Sequence, residues 1–268
     1  MILEKVNTFM QSQIKQWPVV SNRASEIGHS CERYLVFNRT RWQERSLHTL
    51  DLEYIFREGR EQEKSVLKLL MDSDVDVLEQ QRPFSWPVHN ITGSIDGKVL
   101  LNGEAIPLEI KSMHPFIWTK INTLEDMLHS KMDHLRKYPA QLTIYMLCDN
   151  KDKALFLFKN KSTGQLKEIL IHLDYEYAEG LIKKIERVNT AVTDGITPDG
   201  IPWGDTCERC AYRHICIQDA VRAEMQFCDD EEAEEKITRW MGLKPTAAEY
   251  AELDEWRKEP ASRNTPES

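Results

Sequence analysis

Leu3, Val6, Met10, Ile14 and Trp17 recur at helical spacing and predict an amphipathic helix through the first seventeen residues. Helical sequence continues to about residue 72, and a strand-rich stretch runs from Val75 to Ser112. Helical sequence returns through about Asp149. Two strand-like runs, KALFLFKN and KEILIHLD, flank a Ser-Thr-Gly turn. Beyond them Leu181, Ile182, Ile185, Val188 and Val192 recur with helical period, and Gly195 marks the end of that helix. TPDGIPWGD leads into a cysteine-rich segment, after which DDEEAEE opens a helix-prone tail and ASRNTPES has the composition of a disordered end. The order predicts one mixed α/β domain over residues 1–227 and an acidic tail, partly helical and partly disordered, over 228–268.

Composition narrows the classes. With 41% hydrophobic and 29% charged residues over 268 positions, the chain reads as an ordinary globular protein able to bury a sizeable core. No apolar run approaches the roughly 18 residues that span a bilayer, so no membrane partner is expected. Glu4 and its polar neighbours interrupt the stretch that a secretory signal would keep apolar, which predicts a cytoplasmic protein. The net charge of −9 argues against coating nucleic acid through a basic surface. Residues 228–268, however, hold 12 acidic and 6 basic residues, so the body carries only −3. A divalent ion held by clustered carboxylates keeps a phosphate-bearing substrate compatible with that charge. No internal repeat, P-loop or GxGxxG run is present, which argues against a nucleotide-driven motor and a dinucleotide enzyme.

The most informative segment is GSIDGKVLLNGEAIPLEIKS. Asn102-Gly103 between two strand-like runs is a strong hairpin signal, because a type I′ turn needs positive φ at both central residues. A two-residue turn sets Val99 opposite Ile106, Gly97 opposite Leu108 and Ile95 opposite Ile110. The other face then pairs Asp96 with Glu109 and puts Ser94 beside Lys111. Two carboxylates facing each other across a ladder repel unless something positive lies between them. Hard oxygen ligands with open positions suit Mg²⁺ or Mn²⁺, and an adjacent Lys assists the attacking water or stabilises developing charge. A solvent-facing pair of charged strands is the bland alternative.

Asp96 followed by Glu109-Ile110-Lys111 resembles the PD-(D/E)XK nuclease signature. Gln141 and Tyr145 in YPAQLTIYM are similar to the Q-x3-Y element of the RecB-like branch; at i and i+4 they share a helix face suited to touching the substrate strand or bracing the metal site, and positioning the strand is the role expected of them. Gly59-Arg60-Glu61-Gln62-Glu63 resembles that branch's G-x3-H element, with Glu63 where many relatives have His. The resemblance implies a restriction-endonuclease-like α/β fold, a mixed central sheet flanked by helices. It also implies Mg²⁺ or Mn²⁺ held by Asp96 and Glu109, with the Ile110 carbonyl and Glu63 as further candidate ligands.

The C-x2-C-x5-C run CERCAYRHIC suggests metal or cluster ligation before disulfides in a cytosolic chain. Together with Cys31 in GHSCERYLVFNR it is similar to the iron-sulfur subgroup of these nucleases, which includes phage exonucleases and CRISPR-associated adaptation exonucleases. The implied ligands of a 4Fe-4S cluster are Cys31, Cys207, Cys210 and Cys216, joining the N- and C-terminal regions. A zinc site on Cys207, Cys210, His214 and Cys216 is the competing arrangement. Cys148 in LTIYMLCDN reads as a buried small hydrophobe, and Cys228 has no evident partner.

The resemblance thus points to a DNA exonuclease acting on single strands or ends, in phage or prophage recombination or repair, with a recombinase or single-strand-binding protein as partner. CRISPR prespacer processing is the alternative within the same family. A non-hydrolytic DNA-binding module on this fold and an iron-sulfur redox sensor are the readings from other classes. Candidate phosphate contacts are Arg33, Arg39, Arg41, Lys120, Lys131, Arg136 and Lys137, and Trp42 and Trp118 are candidates for base stacking or for the core.

Overall fold

A computed structural model describes residues 1–202 and 204–217, so the acidic tail and Cys228 lie outside the described residues. Met1–Thr206 forms one compact unit, and a second begins at Cys207. Among the described residues no helix is long and apolar enough to cross a membrane.

The first unit is mixed α/β. Helix α1 (Ile2–Gln13) stops short of its predicted end. Trp17 precedes Pro18, whose ring disfavours helical backbone before it, and Trp17 is exposed. Leu3 and Val6 are exposed as well, and of the predicted stripe only Met10 and Ile14 are buried. Strand β1 (Asn22–Arg23), helix α2 (Glu32–Thr40) and the long helix α3 (Leu50–Asp72) follow. Then come β2 (Val77–Leu78), β3 (Arg82–Trp86), β4 (Ile91–Ile95), β5 (Gly97–Leu101) and β6 (Glu104–Met113). Helices α4 (Pro115–Lys120), α5 (Leu124–Leu128) and α6 (Asp133–Asp149) lead to β7 (Lys153–Asn160), β8 (Leu166–His172) and α7 (Tyr175–Asp194). Gly195 closes α7 with φ +67°, a backbone state that costs glycine least.

The main sheet runs β2-β5-β6-β7-β8, antiparallel except for the parallel β6–β7 pair, and a smaller sheet runs β1-β4-β3. Alternation on β6 sends Ile106, Leu108 and Ile110 to one face, where they pack with Val99 and Leu157 under Val66 and Leu67 of α3. The opposite face carries Phe156 and Phe158 against α6 and α7. Pro139 through Met146 of α6 are all buried, so this helix is packed all round.

The Asn102-Gly103 turn has φ of +52° and +83°, and the ladder pairs Gly97 with Leu108, Val99 with Ile106 and Leu101 with Glu104. That is the register predicted from the turn. The ladder stops there: Ile95 does not pair with Ile110, nor Ser94 with Lys111, because the chain breaks strand conformation at Asp96 and β4 pairs with β3 and β1 instead. Over Glu109–Met113, β6 keeps β7 on one side, while β5 no longer accompanies it on the other. Gly97 fits this break, since a Cβ there would fall 2.6 Å from Val77 Cγ1.

Candidate active site

The break in the sheet brings the chemistry together. Asp96 is buried, and its Oδ2 accepts the N–H of Ile110 at 2.8 Å, a donor just beyond the last ladder pair. Asp96 therefore does not face Glu109 as a cross-strand partner. It lies beside the β6 backbone one residue further on, leaving Glu109 on the α6 side of the sheet with Phe156 and Phe158 as the β7 neighbours of Glu109 and Lys111.

Glu109 is fully buried. Its Oε1 meets Lys111 Nζ and accepts from Gln141 Nε2 at 2.7 Å, while its Oε2 has no hydrogen-bond partner. Burial pushes the Glu109 carboxyl up, Lys111 opposes that, and Asp96 adds to the rise, leaving it at about 8. Burial pulls the Lys111 ammonium down, but Glu109 and Asp96 more than compensate, so it stays protonated. Lys111 also lies over the Tyr138 ring, 5.2 Å from its centroid.

Gln141 and Tyr145 are buried, and they brace this carboxylate. Gln141 Nε2 donates to Tyr145 Oη at 2.7 Å as well as to Glu109, and the Tyr145 hydroxyl donates to the Ser94 carbonyl at 2.7 Å. Burial and the Glu109 charge push the Tyr145 phenol up, which keeps it a neutral donor. The relay ties β6 to the strand that leaves the sheet. Of the two roles their spacing suggests, this burial fits support of the carboxylate.

Glu63, half-buried on α3, reaches the site through Gln81, whose Nε2 donates to Glu63 Oε1 and, at 3.2 Å, to Asp96 Oδ1. Burial and Asp96 push the Glu63 carboxyl up. Three carboxylates thus act on one another at the break, although among the described residues no three acidic, His or Cys side chains stand close enough to hold one ion together. Lys111 on Glu109, the Ile110 N–H on Asp96 and the Gln81 amide between Asp96 and Glu63 keep them apart. The donor chemistry fits a hard divalent cation: carboxyl oxygens, one of them buried and unpartnered.

Gln81 and Tyr138 belong to the site without having been singled out by sequence. Tyr138, Gln141 and Tyr145 fall at i, i+3 and i+7, a spacing that would have revealed Tyr138. Gln81 sits in a turn with no motif.

Most of the candidate phosphate contacts serve the fold. Arg33 Nε donates to the Pro198 carbonyl at 2.7 Å, Arg39 donates to Asn189, Arg41 pairs with Glu44 at 2.7 Å, Arg136 pairs with Asp133, and Lys137 pairs with Glu26 at 2.8 Å. Lys120 lies 3.9 Å above the Phe116 ring, and Lys131 is exposed. Trp118 packs on the core and donates to the Phe158 carbonyl at 3.3 Å, and Trp42 is half-buried.

Cys31 is buried at the N-cap of α2, and its N–H donates to His29 Nδ1 at 3.1 Å. Burial pushes the His29 ring down to about 3, so it stays a neutral acceptor. In the second unit, the Tyr212 N–H donates to Cys210 Sγ at 3.4 Å, and the Cys210 N–H donates to the Cys207 carbonyl at 3.1 Å. Cys148, expected in the core, is exposed: it stands in the last turn of α6, past the run of buried residues that ends at Met146.

No protein-family model matches the chain, and no curated protein matches it. Among solved structures, it is similar to the crystal structure of SSO0001, with a TM-score of 0.48 and 14% identity over 81% of this chain and 96% of that one. It is also similar to an alkaline exonuclease, LHK-Exo, from Laribacter hongkongensis, with a TM-score of 0.43 and 16% identity over 66% and 89% of the two chains. LHK-Exo in complex with dAMP gives a TM-score of 0.40 and 15% identity over the same shares.

Proposed function

We propose that the chain is a divalent-metal-dependent deoxyribonuclease on a restriction-endonuclease-like fold, an exonuclease acting on single strands or DNA ends in phage or prophage recombination or repair. One observation carries the reading: a fully buried Glu109 whose Oε1 is held by Lys111 and Gln141 while Oε2 has no partner, beside a second carboxylate fixed on the Ile110 N–H. A buried carboxyl oxygen left without a partner is costly, and a cation is the ligand its chemistry calls for.

Asp96 and Glu109 would hold Mg²⁺ or Mn²⁺, with Glu63 and the Ile110 carbonyl as further ligands. When bound, the ion supplies Lewis acidity toward a phosphodiester oxygen. Lys111, held by Glu109 and steered by the Tyr138 ring, orients water and stabilises charge that develops on the phosphate. Gln141 and Tyr145 keep Glu109 in register by tying it to Ser94.

Single- and double-stranded DNA labelled at either end, incubated with Mg²⁺, Mn²⁺ or EDTA, tests this directly. Stepwise release of nucleotides that needs the metal and is lost in Glu109→Gln and Lys111→Ala is the expected result. DNA left intact in both metals, or degraded equally by the variants, would overturn it. The cysteines support a further proposal, a 4Fe-4S cluster on Cys31, Cys207, Cys210 and Cys216. Protein purified without oxygen should then carry about four iron atoms per chain and lose them in Cys31→Ala. One zinc, unaffected by that substitution, would instead assign Cys207, Cys210, His214 and Cys216.

A further inference from the structure

Gln81 lies between β2 and β3 with a backbone φ of +51°, and Glu79 two residues earlier shares that value. Left-handed backbone is uncommon for side chains other than Gly, Asn and Asp, and such positions gather at functional sites. The turn is fixed from both ends. Glu79 Oε2 meets the buried Lys98 ammonium at 2.9 Å, and Lys98 is anchored by Asp149 at 2.6 Å. The Gln81 N–H donates to the Asp96 carbonyl at 3.2 Å. So held, Gln81 extends its amide between two carboxylates from separate elements, Glu63 on α3 and Asp96 at the break between β4 and β5. An amide nitrogen with two protons is the neutral group best suited to lie between two anions.

We propose that Gln81 is a positioning residue that stands in for a cation, bridging Glu63 and Asp96 and giving way when a divalent ion enters. The inference rests on the metal-dependent reading above, and the unpartnered Glu109 Oε2 is the independent sign that this cluster takes a ligand. Two effects favour metal binding once the amide is gone: no hydrogen bonds to carboxylates have to be broken, and the mutual repulsion of Glu63 and Asp96 is relieved by the ion. Gln81 is exposed, so its replacement leaves the core intact.

Binding of Mn²⁺ to the full chain, followed by the electron paramagnetic resonance signal of the free ion, tests the proposal, with Glu109→Gln as the baseline for sites elsewhere. Gln81→Ala should bind at least about fivefold more tightly than wild type, since hydrogen bonds to charged groups no longer compete. Gln81→Lys, which places a fixed positive charge between the carboxylates, should bind at least about tenfold more weakly. If both variants match wild type within about twofold while Glu109→Gln has lost the site, Gln81 is no stand-in and the inference falls alone. If wild type binds no more Mn²⁺ than Glu109→Gln, no ion is held at Glu109, and the metal-dependent reading falls with the inference.

Discussion

Removal of one oxygen atom at Tyr145 tests whether Gln141 and Tyr145 form a support for Glu109 or a contact for DNA. Tyr145→Phe deletes a hydroxyl that donates to the Ser94 carbonyl and accepts from Gln141, both at 2.7 Å. The ring keeps its edge contact with Phe84, at 5.2 Å between centroids, so the change isolates the two hydrogen bonds. At about 0.5–1.5 kcal/mol each, the loss comes to roughly 2 kcal/mol, or about 4–8 °C for a unit of this size. Gln141→Leu breaks the shared bond and also strips Glu109 Oε1 of a donor, leaving a fully buried carboxylate with Lys111 alone, so its cost should be larger, roughly 2–4 kcal/mol. Because the two residues share one bond, the double variant should cost less than the sum of the singles by about 1 kcal/mol. Urea unfolding in EDTA measures all three without any metal contribution. On DNA, both variants should lower kcat and leave KM near wild type, since neither side chain lies at the surface. Singles that add to within about 0.3 kcal/mol, or a raised KM with kcat intact, would refute the relay.

Asp96→Asn removes charge from the cluster while keeping an acceptor for the Ile110 N–H; it should be inactive yet melt no lower than wild type in EDTA, and only wild type should gain stability on adding Mg²⁺. Equal responses to the metal would separate Asp96 from the ion. Lys98→Met should cost about 2–4 kcal/mol in urea unfolding, because it leaves Asp149 and Glu79 without the buried ammonium they share; a cost below about 0.5 kcal/mol would show the pair to be dispensable. Burial pushes the Glu26 carboxyl up, but Lys137, 2.8 Å away, overcomes it and the net shift is downward. A carboxyl lowered in the fold stabilises fully above its ordinary value of about 4.3 and loses that contribution as pH falls through the lower folded value. The stability gap between wild type and Glu26→Gln should therefore shrink in acid; a gap that stays flat from neutral pH down to about 3 contradicts the pairing.

What the sequence made legible depended on how local the signal was. The two positive φ values at Asn102-Gly103 are a property of adjacent residues, and they set the register of the whole β5–β6 ladder. Gly195 ended α7 for the same kind of reason. Loss of pairing at Asp96 has no such local mark. Ile91 and Ile95 look as fit for the long hairpin as for the small sheet, and the choice between them was made by β3 and β1, which compete for the same strand. Spacing placed Gln141 and Tyr145 on one helix face, but only the packing of α6 decided that this face points inward at Glu109. Arg33 and Arg39 show the converse: their charge is visible in the sequence, while their partners, Pro198 and Asn189, are set by tertiary contacts.

The unforeseen break is also what makes the site chemically plausible. Had the hairpin run on, Asp96 and Glu109 would have faced one another on a pleated surface, a like-charge pair for which the ladder offers no counter-donor. By leaving the sheet after Ile95, the chain turns the Asp96 carboxylate toward the edge of β6, where the Ile110 N–H receives it. Ser94, freed from the ladder with it, supplies the carbonyl on which Tyr145 anchors the relay to Glu109. The same exit brings the Gln81 turn alongside, through its N–H on the Asp96 carbonyl. The strand exit at Asp96 therefore separates the two carboxylates, fixes one, braces the other and leaves one buried oxygen of Glu109 without a partner.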